Sequence, residues 1–261
     1  LLPAAIRAAE FLQRELYDAA RGVLYRSYRE GRSAVEGFAE DYAYLIQGLL
    51  DLYEASFDLR WLQWAERLQQ VMDAVFWDEA RGGWFNSAAG DASIVLRLKE
   101  DYDGAEPAPS SVATMNLLRL GAVFERPVAG QVGDMAYTYR ERARRALEAF
   151  RAQWSTAPQA LPQMLCALEL ALEAPRHVVL VGDPSAADFR VLAAVLHEKA
   201  GPRRTIIAVT NGAGRSWLAD RAPWLAEMQP LDGHAAAYVC EEFACQAPVT
   251  EPADLRSLLH R

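Results

Sequence analysis

The stretch LYDAARGVLYRS at residues 16–27 returns without a gap as FWDEARGGWFNS at 76–87. The offset of 60 superposes Asp18 on Asp78, Arg21 on Arg81, Gly22 on Gly82 and Ser27 on Ser87. Such a repeat reads as helix, tight turn, short extended piece and next helix, a unit that buries its apolar face only against its neighbours. The period exceeds those of the common solenoid repeats, and it leaves room for two helices of about 15 residues per unit with decorated connections on one side. That pattern predicts an α/α-hairpin toroid rather than a rod.

Hydrophobic spacing supplies the helices. In DYAYLIQGLLDLYEA the apolar positions Tyr42, Leu45, Ile46, Leu49, Leu50 and Tyr53 fall on one helical stripe. Ser33 and Glu36 have capping-box spacing upstream of it. A second stripe runs through Trp61, Trp64, Ala65, Leu68, Met72 and Phe76 after an Asp58 N-cap. Ala113, Leu117, Leu120 and Phe124, then Ala136, Tyr139, Ala143, Leu147 and Phe150, extend the array to about six helices, or three hairpins, over residues 1–172. After residue 174 the pattern changes. RHVVLVGD and RTIIAVTNG are continuous apolar runs around the helical SAADFRVLAAVLHEKAG, which Gly201 stops. With a third run, AAAYVCEEFAC, they predict a small α/β subdomain over 173–261, built on a βαβ unit with a three-stranded, largely parallel sheet. The expected fold class is mainly α, a partial toroid of six-hairpin glycosidase-like kind followed by this subdomain.

Charge and cysteine usage narrow the partners. The chain has 27 basic against 35 acidic residues and no long basic cluster, so no nucleic-acid partner is expected. No apolar run approaches the roughly 20 residues that cross a bilayer, so no membrane partner is expected either. LLPAAIRAAE has neither a charged leader region nor an initiating Met, and the chain reads as cytoplasmic with a beginning that looks cut. Three cysteines are too few for a disulfide scaffold and fit a reducing compartment. On a straight strand, Cys240 and Cys245 would stand roughly 17 Å apart on opposite faces, so a bridge between them requires a turn through Glu241 to Ala244. Only His234 lies near enough in sequence to join them around zinc, so no metal is expected. Cys166, in LPQMLCALEL, is expected to be buried in a helix. VLVGDPSAAD has neither phosphate-loop glycine pattern, and Asp183 as N-cap with Pro184 at the first helical position explains its residues, so no cofactor is expected.

DYAYLIQGLLDLYEASFDLRWLQWA, FWDEARGGWFNS, YDGAEPAPSSVA and AYVCEEFACQAPVT together resemble the C-terminal part of the spermatogenesis-associated protein 20-like thioredoxin-domain family. The resemblance covers nearly the whole chain. It implies a toroid of the (α/α)6 type, similar to those of N-acylglucosamine 2-epimerase and the six-hairpin glycosidases, joined in the family to an N-terminal thioredoxin-like domain that has no counterpart here. One departure stands out. Where the family reads roughly Tyr-Asp-Gly-Ala-x-Pro-Ser-Gly-Asn-Ser, this chain has YDGAEPAPSS, with Ala108 for a Ser and Ser110 for an Asn. If those positions form a pocket lip, the specificity is changed or the site is lost.

In a toroid the inner helices end at a common mouth, where acidic side chains from separate connections converge. Glycoside chemistry needs one protonated and one ionised carboxyl there. Asp41, Asp101 and Asp103 are the candidate catalytic residues, with Glu106 weaker because the family pattern lacks it. Tyr42, Trp77, Trp84 and Tyr102 are the candidate substrate-binding platforms. Ser110 or Ser111 suffices to cap the helix after Pro109, which leaves Asp101 and Asp103 free for a site. Epimerase chemistry ranks lower, because His177, His197, His234 and His260 all lie beyond the helical array and read as surface or satisfied core residues. The expected function is a carbohydrate-active or carbohydrate-binding protein taking a small sugar. The alternative is a non-catalytic interaction module that docks a thioredoxin-like domain or another partner protein.

Overall fold

The structure is a computed structural model that describes residues 1–90, 94–125, 138–198 and 204–260. It is about 54% helical with a small sheet region, a mainly α protein. The chain divides into two compact units, one of Leu1–Leu120 with the segment that closes at Ala171, the other of Leu172 onward with the segment that starts at Gly121.

The first unit opens with α1 (Leu2–Glu15) and the two-residue strands β1 (Tyr17–Asp18) and β2 (Val23–Leu24). The helices α2 (Ala39–Ser56) and α3 (Leu59–Phe76) follow as a tightly packed pair. Phe57, in the left-handed region at φ 57°, ends α2. Asp58 then caps α3 by accepting the Arg60 N–H at 3.1 Å. Both stripes face inward, with Ile46, Leu49, Trp61, Trp64, Leu68, Met72 and Phe76 buried. Ser33 and Glu36 form no capping box. The α2 cap is Asp41, whose Oδ2 accepts the Phe38 N–H at 2.8 Å, while Glu36 pairs with Arg21.

The repeat is a structural one. In the first copy Asp18 Oδ1 accepts the N–H groups of Ala20 and Arg21, and in the second Asp78 Oδ1 accepts those of Ala80 and Arg81. Each aspartate closes the turn in which Gly22 (φ 69°) and Gly82 (φ 76°) hold left-handed backbone. The extended pieces pair across both turns, Tyr17 with Leu24 and Trp77 with Trp84.

Four helices complete the described part of this unit: α4 (Pro109–Phe124), α5 (Tyr139–Ala149), the short α6 (Arg151–Thr156) and α7 (Pro162–Leu172). Asn116 on α4 donates to Ala43 O at 2.8 Å, and Arg119 bridges Asp51 and Glu54, so α4 is tied to α2. Ala113, Leu117 and Leu120 are buried, as are Ala143, Leu147 and Phe150, whereas Ala136 lies outside the described residues. Cys166 is exposed, contrary to expectation. Met164 and Ala167 define the buried face of α7, and steps of about 100° per residue put Cys166 off it.

In the second unit β3 (Arg176–Val181), α8 (Ala187–Glu198) and β4 (Arg204–Val209) form the βαβ unit, with the strands parallel. Gly201, the expected stop of its helix, lies outside the described residues. Asp183 does not cap α8, which begins at Ala187; its Oδ1 instead accepts the Ser185 N–H and hydroxyl. After α9 (Ala213–Arg221) come β5 (Ala236–Glu241), β6 (Ala244–Cys245) and α10 (Pro252–Leu259). The sheet has four strands in the order β4-β3-β5-β6, with two of its three pairings antiparallel, so the expectation of a largely parallel three-stranded sheet is corrected. A tight reversal makes the β5–β6 pairing antiparallel. Asp232 and Gly233 turn the chain just before β5, and Glu242 and Phe243, both at positive φ, turn it just after, as two-residue hairpin loops require.

The two turn glycines predict unequal effects. Alanine at Gly22 meets only a side-chain methyl of Val71 at 3.3 Å, whereas at Gly82 its Cβ falls 2.6 Å from Arg145 O. Gly22→Ala is expected to lower stability by about 1 kcal/mol and Gly82→Ala by at least about 2 kcal/mol, read from urea midpoints.

Candidate functional site

The N-terminal end of α2 faces a groove of two cavities that share Arg26 and Glu40. The larger, of about 530 Å³, is also lined by Leu12, Asp41, Tyr44, Leu45, Gly48 and Glu106. The smaller, of about 320 Å³, is lined in addition by Phe38, Asn86, Ser87, Ile94 and Pro109. Residues from the first connection, from α2 and from the acidic turn before α4 thus meet on one surface, although Arg26 and Glu106 are far apart in sequence.

Charge is organised around Arg26. Its guanidinium reaches Glu40 at 2.6 Å and Asp41 at 3.1 Å and lies 4.6 Å from the Phe38 ring centre. Asp41 is half-buried, and this desolvation raises its pKa above the ordinary carboxylate value in spite of the Phe38 N–H and Arg26. Tyr44 donates to Pro107 O at 2.8 Å. Its pKa is pushed up to about 12, first by desolvation and then by Glu106, Asp103, Glu100 and Glu40. The Glu100 pKa is likewise raised, by desolvation and then by Glu40, Asp103, Asp101 and Glu106. The groove is therefore strongly acidic, and Arg26 is already engaged.

Asp103 belongs to the scaffold. It is buried, its Oδ1 accepts the Ala108 N–H at 2.8 Å, and its Oδ2 accepts the N–H groups of Gln163 at 2.8 Å and Met164 at 3.3 Å. One carboxylate thus satisfies the open first turn of α7 and anchors the residue before α4, so a catalytic role is replaced by a capping one. Ser110 and Ser111 do not cap α4. Ser110 sits inside its first turn and accepts the Trp84 N–H at 3.2 Å. Ala108 and Ser110, the two positions that depart from the family pattern, are buried and form no lip. Asp101 and Tyr102 remain exposed on the acidic turn, outside the residues that line the two cavities.

Three of the four aromatic candidates are buried and offer no platform. Tyr42 is 3% exposed, and its hydroxyl accepts the Leu24 N–H at 2.9 Å. Trp84 has no exposed surface, and its Nε1–H donates to Asp73 Oδ1 at 2.8 Å. Trp77 meets Trp84 edge-on at 4.8 Å and carries the guanidinium groups of Arg142 and Arg145 at 4.7 and 5.2 Å from its ring centre. Both tryptophans sit in the connection between α3 and α4 and pair with each other across its turn. Sequence reasoning passed over Arg26, Glu40 and Tyr44; the Glu40-Asp41 pair at a helix start was the signal for the first two.

The cysteines of the second unit are joined. Cys240 and Cys245 are opposite each other across β5 and β6 and form a disulfide with a Cα–Cα distance of 3.9 Å. The turn through Glu241 to Ala244 that a bridge requires is present, with Glu242 and Phe243 at positive φ. Among the described residues no group of three or more His, Cys, Asp or Glu is arranged to hold a metal ion. No described helix is long and apolar enough to cross a membrane.

No family model matches the chain. The chain is 39% identical over its whole length to spermatogenesis-associated protein 20 of Homo sapiens and 37% identical over its whole length to that of Mus musculus. An uncharacterised protein of Caenorhabditis elegans is 31% identical over 96% of the chain. The chain is therefore homologous to spermatogenesis-associated protein 20, and it spans about a third of the length of these curated relatives.

Two outcomes follow from the buried carboxylates. Asp103→Ala strands three backbone N–H groups and is expected to cost about 2–4 kcal/mol in urea unfolding, whereas exposed Asp101→Ala stays within about 0.5 kcal/mol. Asp73 also accepts from Gln69 at 2.9 Å and lies 3.7 Å from Arg142, but desolvation outweighs these partners and raises its pKa to about 6. A raised folded-state pKa means that its contribution to stability is complete below about pH 4 and lost as the pH rises through 6. That loss is on the order of 3 kcal/mol, and Asp73→Asn should abolish it in unfolding measured from pH 4 to 8.

Proposed function

We propose, from homology to spermatogenesis-associated protein 20 and from the groove at the start of α2, that this chain forms part of an α/α-hairpin toroid that binds a small carbohydrate at its acidic mouth. The repeated helix-turn-helix unit supports the toroid. The observation that carries the site is the larger cavity, in which Asp41 and Glu106 share a wall with Arg26 and Tyr44. Carboxylates accept hydroxyl protons, and Arg26, Glu40 and Tyr44 add polar groups beside the apolar Leu12 and Leu45, the mixed lining that a sugar ring needs. Binding is favoured over hydrolysis. Asp103, Trp77, Trp84 and Tyr42 are committed to the scaffold, which leaves Asp41, with its raised pKa, and Glu106 as the acid and base of any glycoside chemistry.

One observation favours the second reading, an interaction module that docks a thioredoxin-like domain or another partner. Val95, Leu96 and Leu98 are well exposed in the segment that follows Ile94 of the smaller cavity.

A melting-temperature panel of neutral sugars, uronates and N-acyl sugars separates the two. A sugar at about 100 times its dissociation constant stabilises by about 2.7 kcal/mol, and Asp41→Asn or Glu106→Gln should remove that shift. No shift with any sugar, from a chain that melts cooperatively, overturns the carbohydrate reading and leaves the interaction module.

A further inference from the structure

We propose that the Cys240–Cys245 disulfide is a thiol–disulfide exchange site, opened by an external dithiol that attacks at the exposed residue Cys245. The two sulfurs differ in access. Cys240 is fully buried on β5, whose neighbour across the sheet is β3, while Cys245 is exposed on the two-residue edge strand β6. Access decides which sulfur an incoming thiolate reaches, and of the two residues only Cys245 is exposed.

The bridge has little to do as a staple. It spans a separation of five residues, the short-loop limit where a cross-link removes least entropy from the unfolded chain. The hairpin is also held by its ladder, Gln246 N–H to Val239 O at 3.0 Å, and beyond it by the paired bonds between Ala237 and Val249. What the disulfide does fix is the turn. Glu242 and Phe243 are both non-glycine residues in the left-handed region, at φ 47° and 63°, a conformation such residues hold only when their surroundings impose it. That turn presents the Phe243 ring to His177 at 4.7 Å and to Trp224 at 5.4 Å.

The chemistry balances with a dithiol alone. Its first thiolate bonds to Cys245 Sγ, the bond to Cys240 Sγ breaks, and Cys240 leaves with the electron pair and takes up a proton. The second thiolate then attacks its own sulfur in the mixed disulfide, so the reagent is oxidised by two electrons and Cys245 is released as a thiol. Exposed Glu241 and Glu242 flank the bridge, with Arg176 3.4 Å from Glu241 as the facing cation, so an anionic thiol is disfavoured against a neutral one. Loss of the bridge frees the turn and with it the Phe243 contact.

The test uses the full chain in a Cys166→Ser background, since Cys166 is also exposed. Native protein is pulsed with dithiothreitol or with glutathione at equal thiol concentration, alkylated and read by mass spectrometry. Dithiothreitol is expected to reduce the bridge without denaturant, at least about tenfold faster than glutathione, and hydrogen exchange at 243–246 should then accelerate. In single variants probed with the neutral disulfide 4,4′-dithiodipyridine, Cys245 (in Cys240→Ser) should react at least about tenfold faster than Cys240 (in Cys245→Ser). Reduction only after denaturation, or equal reactivity of the two thiols, overturns the proposal; the pulse on the Cys166→Ser chain with its bridge intact decides it even where a further variant does not fold.

Discussion

The carboxylate of Asp103 sets the geometry of the acidic turn. Its two oxygens accept three backbone N–H groups, one just before α4 and two in the first turn of α7, and its own N–H donates to Ala160 O at 2.7 Å. Buried backbone amides without partners are expensive, so these bonds hold two helix starts and the intervening turn in one place. Glu106 reaches the groove because that turn is pinned. The residue that looks most catalytic in sequence is thus the one that lets another residue take part in the site.

The groove itself is built on the opposite economy. Glu40, Asp41 and Glu106 line the groove with Arg26, and burial together with repulsion among the nearby carboxylates raises the pKa of Glu100 and of Tyr44. Crowded carboxylates at a surface bring little stability of their own; here Asp41 accepts the Phe38 N–H, and both it and Glu40 pair with Arg26. Their concentration at the start of α2 is the physical ground for a binding reading there. Homology to spermatogenesis-associated protein 20 supplies kinship and not a reaction.

In the second unit the same contrast between local and non-local bonds decides the sheet. The βαβ unit follows from a continuous apolar run, a helix and a second run, and the strands pair in parallel as that grammar demands. The rest of the sheet is antiparallel: β5 and β6 pair across the two-residue turn Glu242–Phe243, and β5 runs against β3 after the Asp232–Gly233 turn.

Periodicity by itself determined the helices, their inward faces and the repeated Asp-x-x-Arg-Gly turn, because those depend on neighbours within one helical turn or one tight loop. Asp58 as a cap, the buried stripe of α3 and the matching turns at Asp18 and Asp78 were all legible in this way. Only tertiary structure decided which polar groups were already used. Asp103 meets Gln163, Trp84 meets Asp73, and Tyr42 meets the Leu24 N–H, pairings across 60, 11 and 18 residues that no local spacing encodes. Burial beside a hydrogen-bonded partner takes a side chain out of a candidate site as surely as distance does, and that partner is chosen by the packing of the helices.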